Sequence, residues 1–180
     1  MKAIGFVAAA ALALSSIASA DFIDQLQDEA STYMAAFSQG DLAQSFQTQL
    51  YDNISGAGIQ LYTTGVEGEI TIQLWDFLPT EGGMMMAEGT AVGTPGEWVD
   101  VFWDPVSITP DTTYYLVFEA DTGGGIYGST SNPYEYGMVF ANPGYNPFPT
   151  FDYTFRTWVV PAPGALALLG LAGLVSRRRR

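Results

Sequence analysis

The stretch EITIQLWDF, Glu69 to Phe77, decides the fold class. In its centre Ile70, Ile72 and Leu74 alternate with polar Thr71 and Gln73. Successive side chains of a β-strand point to opposite faces, so this spacing predicts a strand with one buried and one wetter face.

The chain on both sides of this stretch has the same character, with short apolar or alternating runs separated by Gly, Pro, Asn and Asp. Nine strands at this spacing, without helical segments between them, predict an all-β protein with an antiparallel sandwich or barrel, and we favour the sandwich. The predicted strands are Ala43 to Thr48, Gly58 to Tyr62, Glu69 to Phe77, Met84 to Glu88, Glu97 to Trp103, Thr113 to Ala120, Ile126 to Thr130, Gly137 to Ala141 and Asp152 to Trp158.

One of these strands differs from the others because its apolar residues fall on both faces. It reads Trp98-Val99-Asp100-Val101-Phe102-Trp103. Apolar side chains on both sides of a strand are typical of a strand that is covered on both sides. We therefore expect it to be central in its sheet or to lie under a loop.

The segment before the sandwich has a different spacing of apolar residues, close to that of a helix. Its apolar positions are Ile23, Leu26, Ala30, Tyr33, Met34 and Phe37. This stripe ends at Gly40 and predicts one amphipathic helix within residues 21–40. The helix would pack on its own domain or on another protein.

The N-terminus has the three parts of a secretory signal peptide. Lys2 precedes an apolar run from Ile4 to Leu14, and Ala18-Ser19-Ala20 ends the segment. The apolar run is too short to cross a bilayer, which takes about 20 residues. We therefore expect residues 1–20 to be cleaved before Asp21 rather than kept as a membrane helix.

The last 22 residues, 159–180, combine three features within a short distance. Val160 precedes Pro161-Ala162-Pro163, an apolar run follows from Gly164 to Val175, and Arg177, Arg178, Arg179 and Arg180 end the chain. Arginines after an apolar helix stay on the cytoplasmic side, which agrees with an exported N-terminus. A plain membrane anchor is one interpretation of this tail.

The tail also resembles the PEP-CTERM sorting signal of bacterial surface proteins, with Ala162 where that family has Glu. The resemblance implies processing by an exosortase, a membrane-embedded cysteine transpeptidase, in bacteria that make exopolysaccharide and biofilm. Residues 41–158 look like the jelly-roll sandwich common in exported proteins with this tail. The resemblance assigns no single activity to that domain.

Composition excludes several kinds of chemistry. The chain has no His and no Cys, and its one Lys lies in the signal peptide. Catalytic triads, thiol nucleophiles, Schiff-base lysines and His-ligated zinc therefore cannot be built. All 19 acidic residues lie between Asp21 and Trp158 with the single base Arg156, so this part carries a net charge of −18. Such a surface disfavours nucleic acid and anionic lipid.

Three kinds of site remain open. Loop carboxylates are typical calcium ligands, and the candidates are Asp41, Asp104, Asp121 and Asp152, although the acidic surface can equally serve solubility alone. Aromatic side chains in a Gly/Pro/Asn-rich stretch could stack on sugar rings, and the candidates are Tyr127, Tyr134, Tyr136 and Asn132, unless they only pack the loops. A carboxylate glycosidase would need a pair of acids such as Glu67 with Glu69 or Asp100 with Asp104.

The sequence thus leads to one principal hypothesis, a non-enzymatic exported protein of the cell envelope or extracellular matrix. Its partners would be an exosortase and exopolysaccharide, and the C-terminal helix would hold it in the membrane until processing. A carbohydrate-binding or calcium-dependent binding module is the alternative, and a carboxylate glycosidase is the third. No cofactor other than a structural Ca²⁺ is expected.

Overall fold

A computed structural model of the chain describes residues 21–121 and 123–160. The predicted signal peptide and sorting helix lie outside these residues. Within the described part, no helix is long and apolar enough to cross a membrane.

The described residues form an all-β protein with antiparallel sheets, which confirms the predicted class. The strands are β1 (Phe22–Gln27), β2 (Thr32–Ala36), β3 (Leu42–Gln47), β4 (Asn53–Gln60), β5 (Gly68–Trp75), β6 (Met85–Gly93), β7 (Trp98–Ser107), β8 (Thr113–Ala120), β9 (Gly125–Ser129), β10 (Val139–Ala141), β11 (Asn146–Phe148), β12 (Asp152–Tyr153) and β13 (Phe155–Val159). Two short 3₁₀ turns, Phe37–Gln39 and Pro79–Glu81, interrupt the sequence of strands.

Two sheets form the sandwich and a third extends one of them. The six-stranded sheet has the order β11-β10-β3-β8-β5-β6, and the four-stranded sheet has the order β1-β13-β4-β7. A three-stranded sheet, β12-β9-β2, adjoins the second of these, because Leu61 just beyond β4 bridges to Ile126 of β9.

The core lies between the two large sheets, and both contribute fully buried side chains. Phe46 and Leu116 come from the six-stranded sheet, while Ile59, Val101 and Phe155 come from the four-stranded sheet. The rings of Phe46 and Phe155 are 6.4 Å apart. Burying an apolar side chain of this size contributes about 1.5–3 kcal/mol, so this layer is a main source of stability.

A buried polar network ties β3 to β12 across the edge of the sandwich. The Gln44 side chain donates to Asp152 Oδ1 at 3.0 Å and accepts from the backbone N–H of Tyr153 at 2.9 Å. Asp152 Oδ2 accepts from the backbone N–H of Tyr134 at 3.1 Å. Gln44 and Asp152 are both fully buried. Burial raises the pKa of Asp152, and the hydrogen bonds from Tyr134 and Gln44 oppose that rise.

The predicted helix in residues 21–40 is wrong, because this segment forms β1 and β2 followed by the 3₁₀ turn. β1 pairs with β13, and its register shifts between Ile23 and Leu26. The shift is a β-bulge, which changes the spacing of residues that share a face. Ile23 and Leu26 therefore lie on one face at a spacing that resembles a helical stripe.

Several predicted strand boundaries also differ from the structure. The predicted strand from Asp152 to Trp158 is divided at Thr154, which lies in a corner between β12 and β13. Its hydroxyl bonds to the carbonyl of Tyr127 at 3.1 Å and that of Gln60 at 3.4 Å. The prediction also missed β11 and placed β4 too late in the sequence.

Candidate ligand-binding face

The outer face of the four-stranded sheet carries an unusual set of side chains. Two rows run across β13, β4 and β7, and each places a β4 glycine between two large residues. The rows are Trp158–Gly56–Phe102 and Arg156–Gly58–Asp100. In the next row Gln60 lies opposite Trp98.

Arg156 holds the middle of this face together. Its guanidinium donates to both carboxylate oxygens of Asp100, with Nε 2.7 Å from Oδ1. It also lies over the ring of Trp98 at 4.4 Å and near that of Trp158 at 5.4 Å. The Trp158 indole N–H donates to Asp100 Oδ1 at 2.9 Å. The two indoles and the ion pair therefore fix one another, because cation–π contacts and charge-assisted hydrogen bonds act on the same groups.

The glycines of β4 form the floor on which these side chains lie. A Cβ at Gly56 would be 2.8 Å from Cδ1 of Phe102, and a Cβ at Gly58 would overlap Asp100 Oδ1. A side chain at either position would displace its neighbours. The sequence Gly56-Ala57-Gly58 thus lets the large residues of β7 and β13 lie over the middle strand.

Apolar side chains at the edge of this face remain open to solvent. Phe102 is 52% exposed, Leu26 is 48% exposed and Ile23 is 37% exposed. Leu26 pairs with Arg156 and Ile23 with Trp158, so both β1 residues share the outer face. Exposed large apolar side chains therefore lie at both edges of the face, on β1 and on β7.

Three tyrosines extend the aromatic surface beyond the end of β4. Tyr62 follows Gln60 by two residues and therefore lies on the same face. Its ring centroid is 4.7 Å from that of Tyr33 and 4.7 Å from that of Tyr127. We call the whole surface the aromatic face; it comprises Trp98, Phe102, Trp158, Tyr62, Tyr33 and Tyr127, with the Arg156–Asp100 pair at its centre.

The four predicted sugar-binding residues have different positions in the structure. Tyr127 lies in the aromatic face. Tyr134 is buried, and its hydroxyl donates to the side chain of Gln25 and the carbonyl of Gln47. Burial raises the pKa of this hydroxyl. Its role is therefore packing. Tyr136 is 46% exposed, and its ring centroid is 6.0 Å from that of Tyr134. Asn132 is an exposed loop residue with a φ of 52°.

The four predicted calcium ligands do not form a common site, and three of them already accept hydrogen bonds within the protein. Asp41 accepts from the backbone N–H of Gly144, and Asp121 accepts from that of Glu69. Asp152 belongs to the buried network, and Asp104 is an exposed residue of β7. Among residues 21–121 and 123–160, no three acidic side chains come together as a group that could hold a metal ion.

The predicted acid pairs for glycoside hydrolysis have ordinary environments. Asp100 is engaged by Arg156 and Trp158, and Glu67 lies 3.5 Å from the hydroxyl of Thr94. Glycoside hydrolysis needs one carboxyl with a raised pKa beside a second carboxylate. The contacts of Asp100 with Arg156 and Trp158 instead give it a structural role.

The sorting motif is described only at its first residue. The backbone N–H of Val160 donates to the carbonyl of Asn53 at 3.0 Å, so Val160 lies beside the start of β4. Pro161, Ala162, Pro163 and the four arginines lie outside the described residues.

Comparison of the chain with models of known protein families, with curated proteins and with solved structures found no match.

Proposed function

We propose that this chain is a non-enzymatic exported protein of the bacterial cell surface that binds neutral exopolysaccharide through its aromatic face. The observation that carries the proposal is the pair of indoles, Trp98 and Trp158, held on Arg156 above a floor of glycines. Flat, fixed aromatic rings offer the surface on which the apolar faces of sugar rings stack. Gln60 and the Arg156–Asp100 pair add polar groups for hydroxyl recognition.

The charge of the protein supports a neutral ligand. Arg156 is the only basic residue between Asp21 and Val160, and its charge is already paired with Asp100. The remaining carboxylates give the surface a strongly negative field, which repels anionic polymers. A neutral polysaccharide meets no such repulsion.

The order of strands supports a jelly-roll form of the sandwich. β1, β4, β7 and β13 belong to one sheet, and β3, β5, β6 and β8 to the other. Along the chain these eight strands alternate between the sheets except at β5 and β6, which are neighbours. Eight strands in two Greek keys form a jelly roll, an architecture shared by lectins among other proteins. The fold by itself assigns no function.

The polysaccharide proposal is tested by affinity electrophoresis of the full-length protein in gels that contain neutral or acidic polysaccharides. Trp98→Ala and Trp158→Ala are each expected to weaken binding to a neutral polymer about tenfold, a loss of about 1.4 kcal/mol. Trp75→Ala is the matched control, because Trp75 is a half-buried strand residue of the other sheet, where it bonds to Gln73.

Equal effects of all three tryptophan substitutions would contradict the assignment of the aromatic face. Stronger retention by the acidic polymer would contradict the neutral ligand. Loss of binding in a chelator would favour the calcium-dependent module instead.

The tail supports sorting by an exosortase at the envelope, with the membrane helix removed in the process. We expect the intact mass of the protein isolated from its native envelope to lack the residues after about Val160, because loss of such a tail leaves no membrane helix. A mass that includes Arg180 would mean a plain membrane anchor.

A further inference from the structure

The first and last residues of the described part, Asp21 and Val160, lie side by side at one end of the sandwich. β1 and β13 are antiparallel neighbours, with Phe22 opposite Val159. The backbone N–H of Val160 donates to the carbonyl of Asn53, where β4 begins. The predicted signal peptide and the predicted sorting tail are thus attached to the same end of the sandwich. We call this end the terminal pole; it comprises Phe22, Leu50, Tyr51, Asn53 and Val160.

A very short stretch of chain connects the terminal pole to the apolar run of the tail. Only Pro161-Ala162-Pro163 separates Val160 from that run, which has 12 residues from Gly164 to Val175. An extended chain advances at most about 3.6 Å per residue, so Val160 and Gly164 are at most about 14 Å apart. β4 has eight residues and is about 26 Å long. A run shorter than about 20 residues also draws its flanking residues toward the bilayer. With the run in a membrane, the terminal pole therefore faces the lipid and the far end of β4 does not.

Apolar side chains are exposed at the terminal pole. Leu50, in the loop between β3 and β4, is 81% exposed, the largest fraction of any large apolar side chain in the described part. The next residue, Tyr51, packs its ring edge-on to that of Phe22, with the centroids 4.7 Å apart, and both residues are half-buried. Aromatic rings are enriched at membrane–water interfaces, where they lie at the level of the headgroups. These side chains suit contact with a lipid headgroup layer.

The charges near the pole favour one kind of lipid. Asp21 and Asp52 are both exposed there. Arg156, the only basic residue between Asp21 and Val160, is paired with Asp100 in the aromatic face. The pole therefore offers no cation to anionic headgroups, and the negative potential of an anionic bilayer repels its carboxylates. A zwitterionic surface exerts no such repulsion.

We propose that the terminal pole lies on a bilayer of zwitterionic lipid while the tail is attached, with the Leu50 side chain in the headgroup layer. This contact depends on membrane insertion of the tail, and so it rests on the proposed function. It adds to the tail and does not replace it, because even a single acyl chain is only a marginal anchor. Removal of the tail therefore releases the pole as well. Since β4 begins at the pole and ends near Tyr62, the tyrosine end of the aromatic face is the end farther from the membrane.

The test compares fluorescent labels at the two ends of β4. The chain has no cysteine, so Leu50→Cys and Val66→Cys each create a single labelling site. Val66 is the matched control, because it is also an exposed apolar loop residue but lies beyond the far end of β4. Each full-length protein, with its tail, is labelled with nitrobenzoxadiazole and reconstituted into phosphatidylcholine vesicles with or without headgroup-nitroxide lipid. The label at position 50 should lose most of its emission to the nitroxide, and the label at position 66 should lose little.

Flotation of the vesicles separates failure of this contact from failure of the proposed tail. Both labelled proteins should float with the vesicles. Flotation with equal quenching at the two positions would overturn the contact and leave the inserted tail in place. Absence of flotation would overturn insertion of the tail and the contact with it.

A further pair of variants separates contact by Leu50 from simple tethering. The label is placed at the neighbouring exposed residue by Gln49→Cys. In this protein Leu50→Asp should reduce the quenching, because a carboxylate does not enter the headgroup layer in place of an apolar side chain, whereas Val66→Asp should leave it unchanged. Quenching that Leu50→Asp does not change would overturn the role of Leu50. Stronger quenching at position 50 in phosphatidylglycerol vesicles than in phosphatidylcholine vesicles would overturn the preference for zwitterionic lipid.

Discussion

Replacing Gln44 with leucine lowers the free energy of unfolding by roughly 3–5 kcal/mol at neutral pH, since it leaves a buried carboxylate short of a partner. The leucine fills similar space but cannot donate to Asp152 or accept from the Tyr153 N–H, and both groups are buried. The matched control is Gln47→Leu on the same strand, where the half-buried amide donates only to the Thr113 hydroxyl. That change should cost less than about 1 kcal/mol. Urea unfolding measures both values.

The loss of unfolding free energy in Gln44→Leu is expected to depend on pH. Burial already raises the pKa of Asp152 above its usual 3.8. A carboxyl whose pKa is higher in the folded protein than in the unfolded chain contributes to stability when it is protonated. This contribution is complete below the pKa of the unfolded chain and is lost as the pH rises through the pKa of the folded protein. Without Gln44 the charged form loses a hydrogen bond, so the pKa rises further. The substitution should therefore cost more near pH 7 than at about pH 4. Equal losses at both pH values would show that Asp152 does not carry the effect.

This network could not be predicted from the sequence, because its members come from strands far apart in the chain. Gln44 and Asp152 are separated by 108 positions. Asp152 has the sequence environment of a loop acid, which made it a calcium candidate. Only the contact between the Gln44 side chain of β3 and the residues of β12 shows that its oxygens are used inside the protein. Long-range pairing likewise formed β1 and β2 from a segment whose local spacing resembles a helix.

The strand pattern, in contrast, was readable from local spacing. Ile70, Ile72 and Leu74 are all buried as predicted, and β8 has the predicted boundaries. Alternation reports the burial of each face directly, and this does not depend on which strands are neighbours. The all-β class and the antiparallel arrangement followed from this signal together with the turn residues that separate the runs.

The sequence contains the pattern that marks the aromatic face, but this pattern led to the wrong prediction for β7. Apolar residues on both faces of the segment Trp98–Trp103 predicted a covered strand, whereas β7 is the last strand of its sheet. Val99 and Val101 face the core, and Phe102 is exposed on the other side. A doubly apolar strand indicates either a covered strand or a strand that carries large exposed side chains on its outer face. The alternating glycines of β4 mark the second case, because they leave space for large neighbours.

Gly58→Val is the second substitution for which we expect a large loss of stability. Valine favours β-strands and glycine does not, so propensity alone predicts a more stable protein. The structure predicts the opposite, because the new Cβ would overlap Asp100 Oδ1 and lie 3.0 Å from the carbonyl of Val99. Moving Asp100 removes the partner of Arg156 and loosens both indoles. We expect a loss of roughly 2–3 kcal/mol in urea unfolding, at the upper end for an overpacked site.

The same variant should change the emission of Trp98 and Trp158 and abolish binding to the neutral polysaccharide, since the two rings would no longer be fixed. Gly123→Val is the control, because a Cβ there meets no atom within 4 Å. It should leave stability, tryptophan emission and binding close to those of the unchanged protein. A Gly58→Val protein that is as stable as this control would mean that β7 shifts to admit the side chain, and the glycine floor would then not be what positions the aromatic face.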